Sequence, residues 1–427
     1  MNQQPSPNSV GRILTASLIG TTIEFFDFYI YATAAVLVFP KLFFPTANPA
    51  SATLQSLATF ALAFIARPLG AAIFGHFGDR HGRKATLVAA LMTMGPSTVA
   101  IGLLPGYNTI GIAAPILLAL FRFGQGLGLG GEWGGAVLLA TENAPPHKKA
   151  WYGMFPQLGA PIGFLISSGI FLILSKTMSE ADFLNYGWRI PFIASAILVW
   201  VGLFVRLRIT ETPEFMKIIN SNARSKVPFA DVFTKNTKAI TLGTLLTITT
   251  FLLFYLMTVF TLSYGTTNLH YTKTNFLILQ MISMLFFAVG IPLSAVIADR
   301  SGRNRMLVIA TVCIIIFGLV FAPLFTTGNL LITGLFLSIG MFLMGLTYGP
   351  IGTALSEIFP ASVRYTGASL AFTLAGILGA SFTPYLATTL AAKFGLPYVG
   401  YYLAGAAVIS LLALLGARGL MKKEKED

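Results

Sequence analysis

Gly78-Asp79-Arg80-His81-Gly82-Arg83 returns almost unchanged as Ala298-Asp299-Arg300-Ser301-Gly302-Arg303, with 220 residues between Asp79 and Asp299. Each copy is a polar island behind a long apolar run, 53–75 before the first and 275–297 before the second. A second echo follows. Glu142 has Lys149 seven residues on and Gly153 eleven on; Glu357 has Arg364 seven on and Gly367 ten on. Asp79 and Glu142 are 63 residues apart, Asp299 and Glu357 58. Two matched motifs in the same order, at similar separations, point to an internal duplication.

Outward from these islands the chain is a row of apolar stretches. A bilayer core of about 30 Å needs about 20 apolar residues in helix. Twelve runs qualify: 16–39, 53–75, 85–104, 111–139, 151–174, 188–206, 238–265, 275–297, 306–326, 330–354, 365–391 and 397–417. They are continuous, not ten-residue alternations, which favours helices over a barrel. The fold class is therefore an all-α polytopic membrane protein with twelve spanning helices in two parallel six-helix bundles. The expected divisions are 1–206 for the first bundle, 207–236 for a polar linker and 237–427 for the second. Within the linker, Phe215, Ile218 and Ile219 have the spacing of a short amphipathic helix lying on the membrane surface.

Composition agrees. Of 427 residues 55% are hydrophobic and 10% charged, and mean hydropathy is +0.77. Soluble domains carry about a quarter charged residues, so a soluble enzyme, a disordered scaffold and a secreted disulfide module are excluded. One cysteine and four histidines leave neither a disulfide framework nor a metal site, and no cofactor is implied. The net charge of +13 reflects basic loops rather than nucleic-acid binding. With the N-terminus in the cytoplasm, 21 of the 28 basic residues fall on that side and 5 on the other; Arg67 and Arg122 lie within spans. Both termini are thus expected inside. The first dozen residues lack a cleavable signal pattern, so the first helix is expected to act as its own insertion signal.

The repeated island has a physical task. Its glycines permit a tight turn, and its aspartate can accept hydrogen bonds at a helix start. Arg83 is expected to pair with Glu142, and Arg303 with Glu357. Together with Asp79, Arg80, Asp299, Arg300 and Arg364 these residues form a candidate cytoplasmic gate that closes in one state and opens in another.

Gly75-His76-Phe77-Gly78-Asp79-Arg80-His81-Gly82-Arg83-Lys84 resembles the loop signature of the major facilitator superfamily. Further stretches narrow the likeness: Glu24 through Tyr31 (EFFDFYIY), Arg67-Pro68-Leu69-Gly70, Gln125 through Gly135 (QGLGLGGEWGG), Trp188-Arg189-Ile190-Pro191-Phe192, Glu211-Thr212-Pro213-Glu214-Phe215 and Glu357-Ile358-Phe359-Pro360. In order and across nearly the whole chain, these resemble the metabolite:proton symporters, which include shikimate, α-ketoglutarate, citrate and proline/betaine transporters. The resemblance implies proton-driven uptake of a small organic metabolite. The long C-terminal coiled coil of the osmosensing proline/betaine members is not expected here, and the resemblance is nearer to the shikimate-like branch.

Charges inside the spans are the sharpest independent signal, since each costs about 3 kcal/mol at the bilayer centre even on a lenient scale. Glu24, Asp27, Arg67, Arg122 and Glu132 are such residues, all in the first half. Asp27 and Arg122 fall at similar depth, about 16–18 Å along their helices, so contact between them is expected. Asp27 is the candidate proton carrier and Arg122 the candidate anchor for an anionic substrate, a placement that also resembles sugar porters. Glu24 and Glu132 are further candidates for proton coupling, or for a structural cluster with Arg67. Tyr31, Gln157, Tyr255, Gln280 and Tyr348 are the candidate neutral substrate contacts. The Gly159-Ala160-Pro161-Ile162-Gly163 stretch resembles an antiporter-associated motif, which keeps exchange open. The expected protein is a monomeric bacterial inner-membrane symporter for a small carboxylate. Its partners are the substrate, protons and the bilayer. The alternatives are a zwitterionic solute, an exchanger or a non-transporting sensor.

Overall fold

The computed structural model describes residues 10–45, 48–81, 83–207, 228–360 and 363–423; the side chains of residues 12, 75–87, 142, 228–231 and 422–423 fall outside that description. Twelve long helices succeed one another: α1 (Val10–Leu37), α2 (Pro49–His81), α3 (Arg83–Leu103), α4 (Ala113–Leu129 and Trp133–Glu142), α5 (Lys149–Thr177), α6 (Arg189–Leu207), α7 (Thr237–Tyr255, extended to Thr267), α8 (Lys273–Ser301), α9 (Arg303–Leu319), α10 (Leu330–Ile358), α11 (Arg364–Gly376, extended to Phe394) and α12 (Pro397–Lys423). Ten are long and apolar enough to cross a membrane; α3, apolar over Val88–Leu103, and the 17-residue α9 complete the set. No strand occurs among the described residues. The expected spans match these helices to within a few residues, except that α1 starts at Val10, α2 runs on to His81, α12 runs on to Lys423 and the ninth run breaks into α9 and a short helix, Phe321–Phe325.

The helix ends have local causes. Thr272 caps α8 by accepting from the Asn275 amide, and Asn329 caps α10 by accepting from Leu331 and Ile332. Gly302, at φ +97°, turns the chain from α8 directly into α9, a conformation that a side chain would strain. Between helices the usual layering is reversed. Trp200, Leu331 and Leu412 are 66%, 71% and 63% exposed, while charged and hydroxyl groups lie inside. Lipid is as apolar as the protein interior, so apolar residues gain little by hiding and polar ones a great deal.

Packing sorts the helices into two sets. α1 lies on α5, α2 on α4, and α3 on α4 and α6; α8 lies on α10, α9 on α12, and α7 on α11 and α12. Across the sets, α5 meets α8 and α10, and α2 meets α11. The glycines of α4 permit its close seating: a Cβ at Gly126 or Gly130 would run into the carbonyls of Ala63 and Arg67 on α2. Three helices are interrupted partway: α4 by a turn over 130–132, α7 by a π turn at Leu256–Phe260 and α11 by one at Ile377–Ser381. Such breaks concentrate near functional sites. The segment holding Phe215, Ile218 and Ile219 lies outside the described residues; Pro228–Lys235 forms a short helix that leads into α7. The end of the molecule where this linker joins is called the linker end below.

Candidate functional site

α1 carries Asp27 into the space between α3 and α6. Ser195 Oγ on α6 donates to Asp27 Oδ1 at 2.5 Å, and Thr98 Oγ1 on α3 donates to Oδ2 at 3.2 Å. The chain of contacts continues. Gln125 Nε2 on α4 donates to Thr98 Oγ1 at 2.7 Å, and Arg122 Nη1 donates to Gln125 Oε1 at 3.0 Å. Asp27, Thr98, Ser195, Arg122 and Gln125 are all buried. The expected direct pairing of Asp27 with Arg122 is corrected: two neutral side chains stand between them. Counting residues gives height along a helix but not rotation about the bundle axis. The Ala113–Leu129 segment of α4 packs on α2 and α3, and Arg122 reaches α1 only at the rings of Tyr31 and Phe28, while Asp27 is turned to α3 and α6.

Arg122 is held by rings rather than by an acid. Its guanidinium carbon lies 4.0 Å from the Tyr31 ring centre, 4.2 Å from Phe28 and 4.9 Å from Phe60. Tyr31 is fixed in turn by a 2.8 Å hydrogen bond to Thr59. Arg122 Nε and Nη2 have no hydrogen-bond partner among the described residues. That edge of a guanidinium presents two parallel N–H groups, the geometry that a carboxylate accepts in bidentate fashion. Beyond it, Tyr255 of α7 meets Phe28, Phe60 and Phe64 edge-on at 5.3–6.2 Å, and Tyr29 stacks on Phe254 at 5.4 Å. These rings join the two helix sets midway.

Toward the linker end, two buried ion pairs form. Arg67 Nη2 meets Glu24 Oε1 at 3.0 Å, and Arg206 pairs with Glu132. Glu24, Arg67 and Glu132 thus divide into two pairs, the second completed by a residue that reads as a loop charge in the sequence. Arg206 is only 6% exposed, in the last turn of α6. Arg189 is another such case; its Nη1 donates to the carbonyls of Gly102 and Leu104 and closes the C-terminal end of α3.

Two candidate substrate contacts have other tasks. Gln280 Nε2 donates to the Met257 and Thr258 carbonyls, which the π turn of α7 frees, so its amide serves the backbone. Gln157 accepts from Trp133 Nε1 at 3.0 Å and donates to the Tyr348 carbonyl at 2.9 Å, bridging the two helix sets. The Tyr348 ring packs on Phe287.

At the linker end, Asp299 accepts from the backbone amides of Ala150 and Trp151, in the first turn of α5, at 3.0 and 2.9 Å. Arg303 pairs with Asp299 at 3.5 Å and with Glu357. Tyr365 donates to the Gly131 carbonyl, Thr353 to the Lys149 carbonyl, and Trp133 stacks on Phe372 with ring centres 3.5 Å apart. Arg364 Nε donates to the Phe359 carbonyl, while Arg300 is exposed and joins no ion pair among the described residues. The side chains of Asp79, Arg80, Arg83 and Glu142 lie outside the described residues. At the opposite end, Glu180 takes Lys41 at 2.8 Å and Lys273 at 3.4 Å; nearer the middle, Ser381 donates to the Ala61 carbonyl. Asp27, Arg122 and Gln125 lie buried between these two ends. No group of acids, histidines and cysteines placed to hold a metal occurs among the described residues.

The family model of the Major Facilitator Superfamily matches residues 17–380. The chain belongs to that superfamily. Among relatives of this major facilitator protein, the inner membrane metabolite transport protein YhjE of Escherichia coli is 55% identical over 413 residues, covering 96% of this chain and 94% of the relative. The Escherichia coli shikimate transporter is 36% identical, covering 95% and 94%, and the proline/betaine transporter 33%, covering 94% and 82%. The partially occluded, inward-open xylose transporter XylE superimposes with a TM-score of 0.72 at 18% identity, covering 95% of this chain and 96% of that one. This likeness concerns the fold: twelve helices in two bundles. These relatives are transporters and not enzymes.

Proposed function

We propose that the protein is a proton-coupled symporter that imports a small organic carboxylate across the inner membrane by alternating access. One observation carries the reading: Arg122, fully buried among three rings, keeps its Nε/Nη2 edge unpartnered. Burying a cation without a counter-ion is costly, and a carboxylate arriving on that edge removes the cost. Asp27 is the proton carrier, linked to Arg122 through hydrogen bonds rather than by contact. The bundles 1–206 and 237–427 rock about the central site. The Asp299–Arg303–Glu357 group and its counterpart around Asp79, Arg80, Arg83 and Glu142 hold the linker end shut. The basic-residue asymmetry puts that end, with both termini, in the cytoplasm. The transporting unit is the monomer. The names of the shikimate and proline/betaine relatives support a carboxylate-bearing substrate.

A zwitterion is the second reading. The rings of Phe64 and Tyr255 beside Arg122's cage offer faces to an ammonium group while the guanidinium takes the carboxylate. The test is purified protein in proteoliposomes containing a pH-sensitive dye, challenged with shikimate, proline and glycine betaine. Symport predicts substrate-dependent acidification of the lumen that Asp27→Asn abolishes. Accumulation without proton movement would refute coupling and leave exchange or facilitated diffusion. Binding without any flux would indicate a sensor.

A further inference from the structure

Thr98 occupies the one position where the two ends of the site meet. Its oxygen accepts the Gln125 amide on one side. Its single hydrogen has two acceptors within reach, Asp27 Oδ2 at 3.2 Å and the Met94 carbonyl at 3.1 Å. A hydroxyl has one hydrogen to give and two lone pairs to fill, so donation to one acceptor withdraws it from the other. Gln125 has the complementary property: a planar amide, with Oε1 held by Arg122 and Nε2 held by Thr98, moves both contacts together. Thr98 is wholly enclosed and Gln125 1% exposed, so water does not substitute for a broken contact at low cost.

We propose that Thr98 and Gln125 are positioning residues that transmit substrate arrival at Arg122 to the proton site at Asp27. The proposal rests on the reading of Arg122 as anchor and Asp27 as proton carrier, and adds the path between them. A carboxylate bridging Arg122 Nε and Nη2 draws the guanidinium toward itself and loosens Nη1 from Gln125 Oε1. The amide turns and Nε2 leaves Thr98. The Thr98 hydrogen swings to the Met94 carbonyl, and Asp27 Oδ2 loses its donor. A proton from the aqueous phase then forms an O–H bond on Asp27 Oδ2, and that O–H donates to the Thr98 lone pair that Gln125 has vacated. The hydrogen-bond count at Thr98 is the same before and after, and the carboxylate is neutralised by one proton for each substrate bound.

The other ionisable groups around Asp27 are spoken for or more distant along the helices. Glu24, one turn away on α1, pairs with Arg67 of α2, and Glu132 of α4 pairs with Arg206 of α6. Tyr29 packs against Phe164 of α5, and Tyr255 of α7 sits among phenyl rings. Among the described residues the hydrogen bonds to Asp27 come from these two hydroxyls, of which Thr98 is the one connected onward.

The test is a double-mutant cycle that needs no substrate. Protein in nanodiscs is titrated with acid while the infrared band of a protonated carboxyl is followed, and the Asp27 component is assigned by its loss in Asp27→Asn. Gln125→Leu does not touch Asp27. If the relay operates, it moves the Asp27 midpoint by about threefold to tenfold in proton concentration, as weakening one charge-assisted hydrogen bond does. In a Thr98→Val background the same change moves it by less than about 1.5-fold, because the connection is cut. Thr98→Ser restores the full response, which separates the hydroxyl's role from a packing defect. An equal Gln125→Leu effect in both backgrounds, or none in either, would overturn the relay. A carboxyl band that survives Asp27→Asn unchanged would instead overturn the assignment of Asp27 on which the relay rests.

Discussion

Arg122→Lys keeps a positive charge at the anchor and removes its shape. The guanidinium has a tether to Gln125 through Nη1, three surrounding rings, and a two-pronged Nε/Nη2 edge. An ammonium on a flexible stem presents a point charge, so it retains one of the two bonds to a carboxylate and loses the other along with the tether. One charge-assisted hydrogen bond is worth about 1.5–3 kcal/mol. At 1.4 kcal/mol per factor of ten, that predicts a rise in half-saturation of about 10- to 150-fold. The assay is substrate counterflow in proteoliposomes with no pH gradient, which reads binding without coupling. Arg67→Lys is the internal control. Its guanidinium is paired with Glu24 and lies 5.5 Å from the centre of the Phe28 ring, so half-saturation should stay within about threefold of wild type while stability falls. A change under about threefold for Arg122→Lys, or an equal effect from Arg67→Lys, would refute the anchoring role.

Glu24→Gln strands the Arg67 charge and should cost about 3–5 kcal/mol of stability, read as a lowered unfolding midpoint in detergent; adding Arg67→Met should recover most of it. Glu180→Gln removes both ion pairs of an acid that is 64% exposed, and such pairs contribute about 0–1 kcal/mol, so transport should stay within a few-fold. A Cβ at Gly134 would strike Ser369 Oγ of α11 as the linker end closes. Gly134→Ala should therefore favour the open linker end by about 1–3 kcal/mol. With Cys313 replaced by serine, a cysteine at the buried Thr353 should react about fivefold or more faster with a water-soluble maleimide in that variant.

The helices were legible because their signal is cumulative: twenty apolar residues outweigh any single exception, and a bilayer admits few alternatives. The duplicated island also carried the proximity of Arg303 and Glu357, since matched spacing places them at the same end of adjacent helices. Rotation was not legible. Asp27 and Arg122 have matching heights, yet Arg122 meets α1 at the rings of Phe28 and Tyr31 while Asp27 turns to α3 and α6, which no count along a single helix reveals. Arg206 illustrates a different limit. A basic residue at the end of an apolar run reads the same whether it faces water or turns inward to Glu132. The backbone role of Gln280 is not legible either, because the need it meets, the carbonyls of Met257 and Thr258, arises from a π turn that leaves no mark in composition. Thr98 and Ser195 had no signal of their own, and Gln125 only its place at the head of the QGLGLGGEWGG stretch; hydroxyls and amides in membrane helices are common, and only their partners distinguish them.

Asp299 reaches across to the first turn of α5 and binds main-chain amides there, not a side chain. One face of that clasp is thus made of groups that every residue except proline possesses. Residue 151 can be exchanged widely without removing its amide, whereas at the fully buried Ala150 the limit is space and not the hydrogen bond. Only the aspartate and the arginine that steadies it are open to graded adjustment. The mutational record of such a gate should be lopsided, rigid on the side of α8 and permissive on the side of α5, although both contribute equally to the same hydrogen bonds.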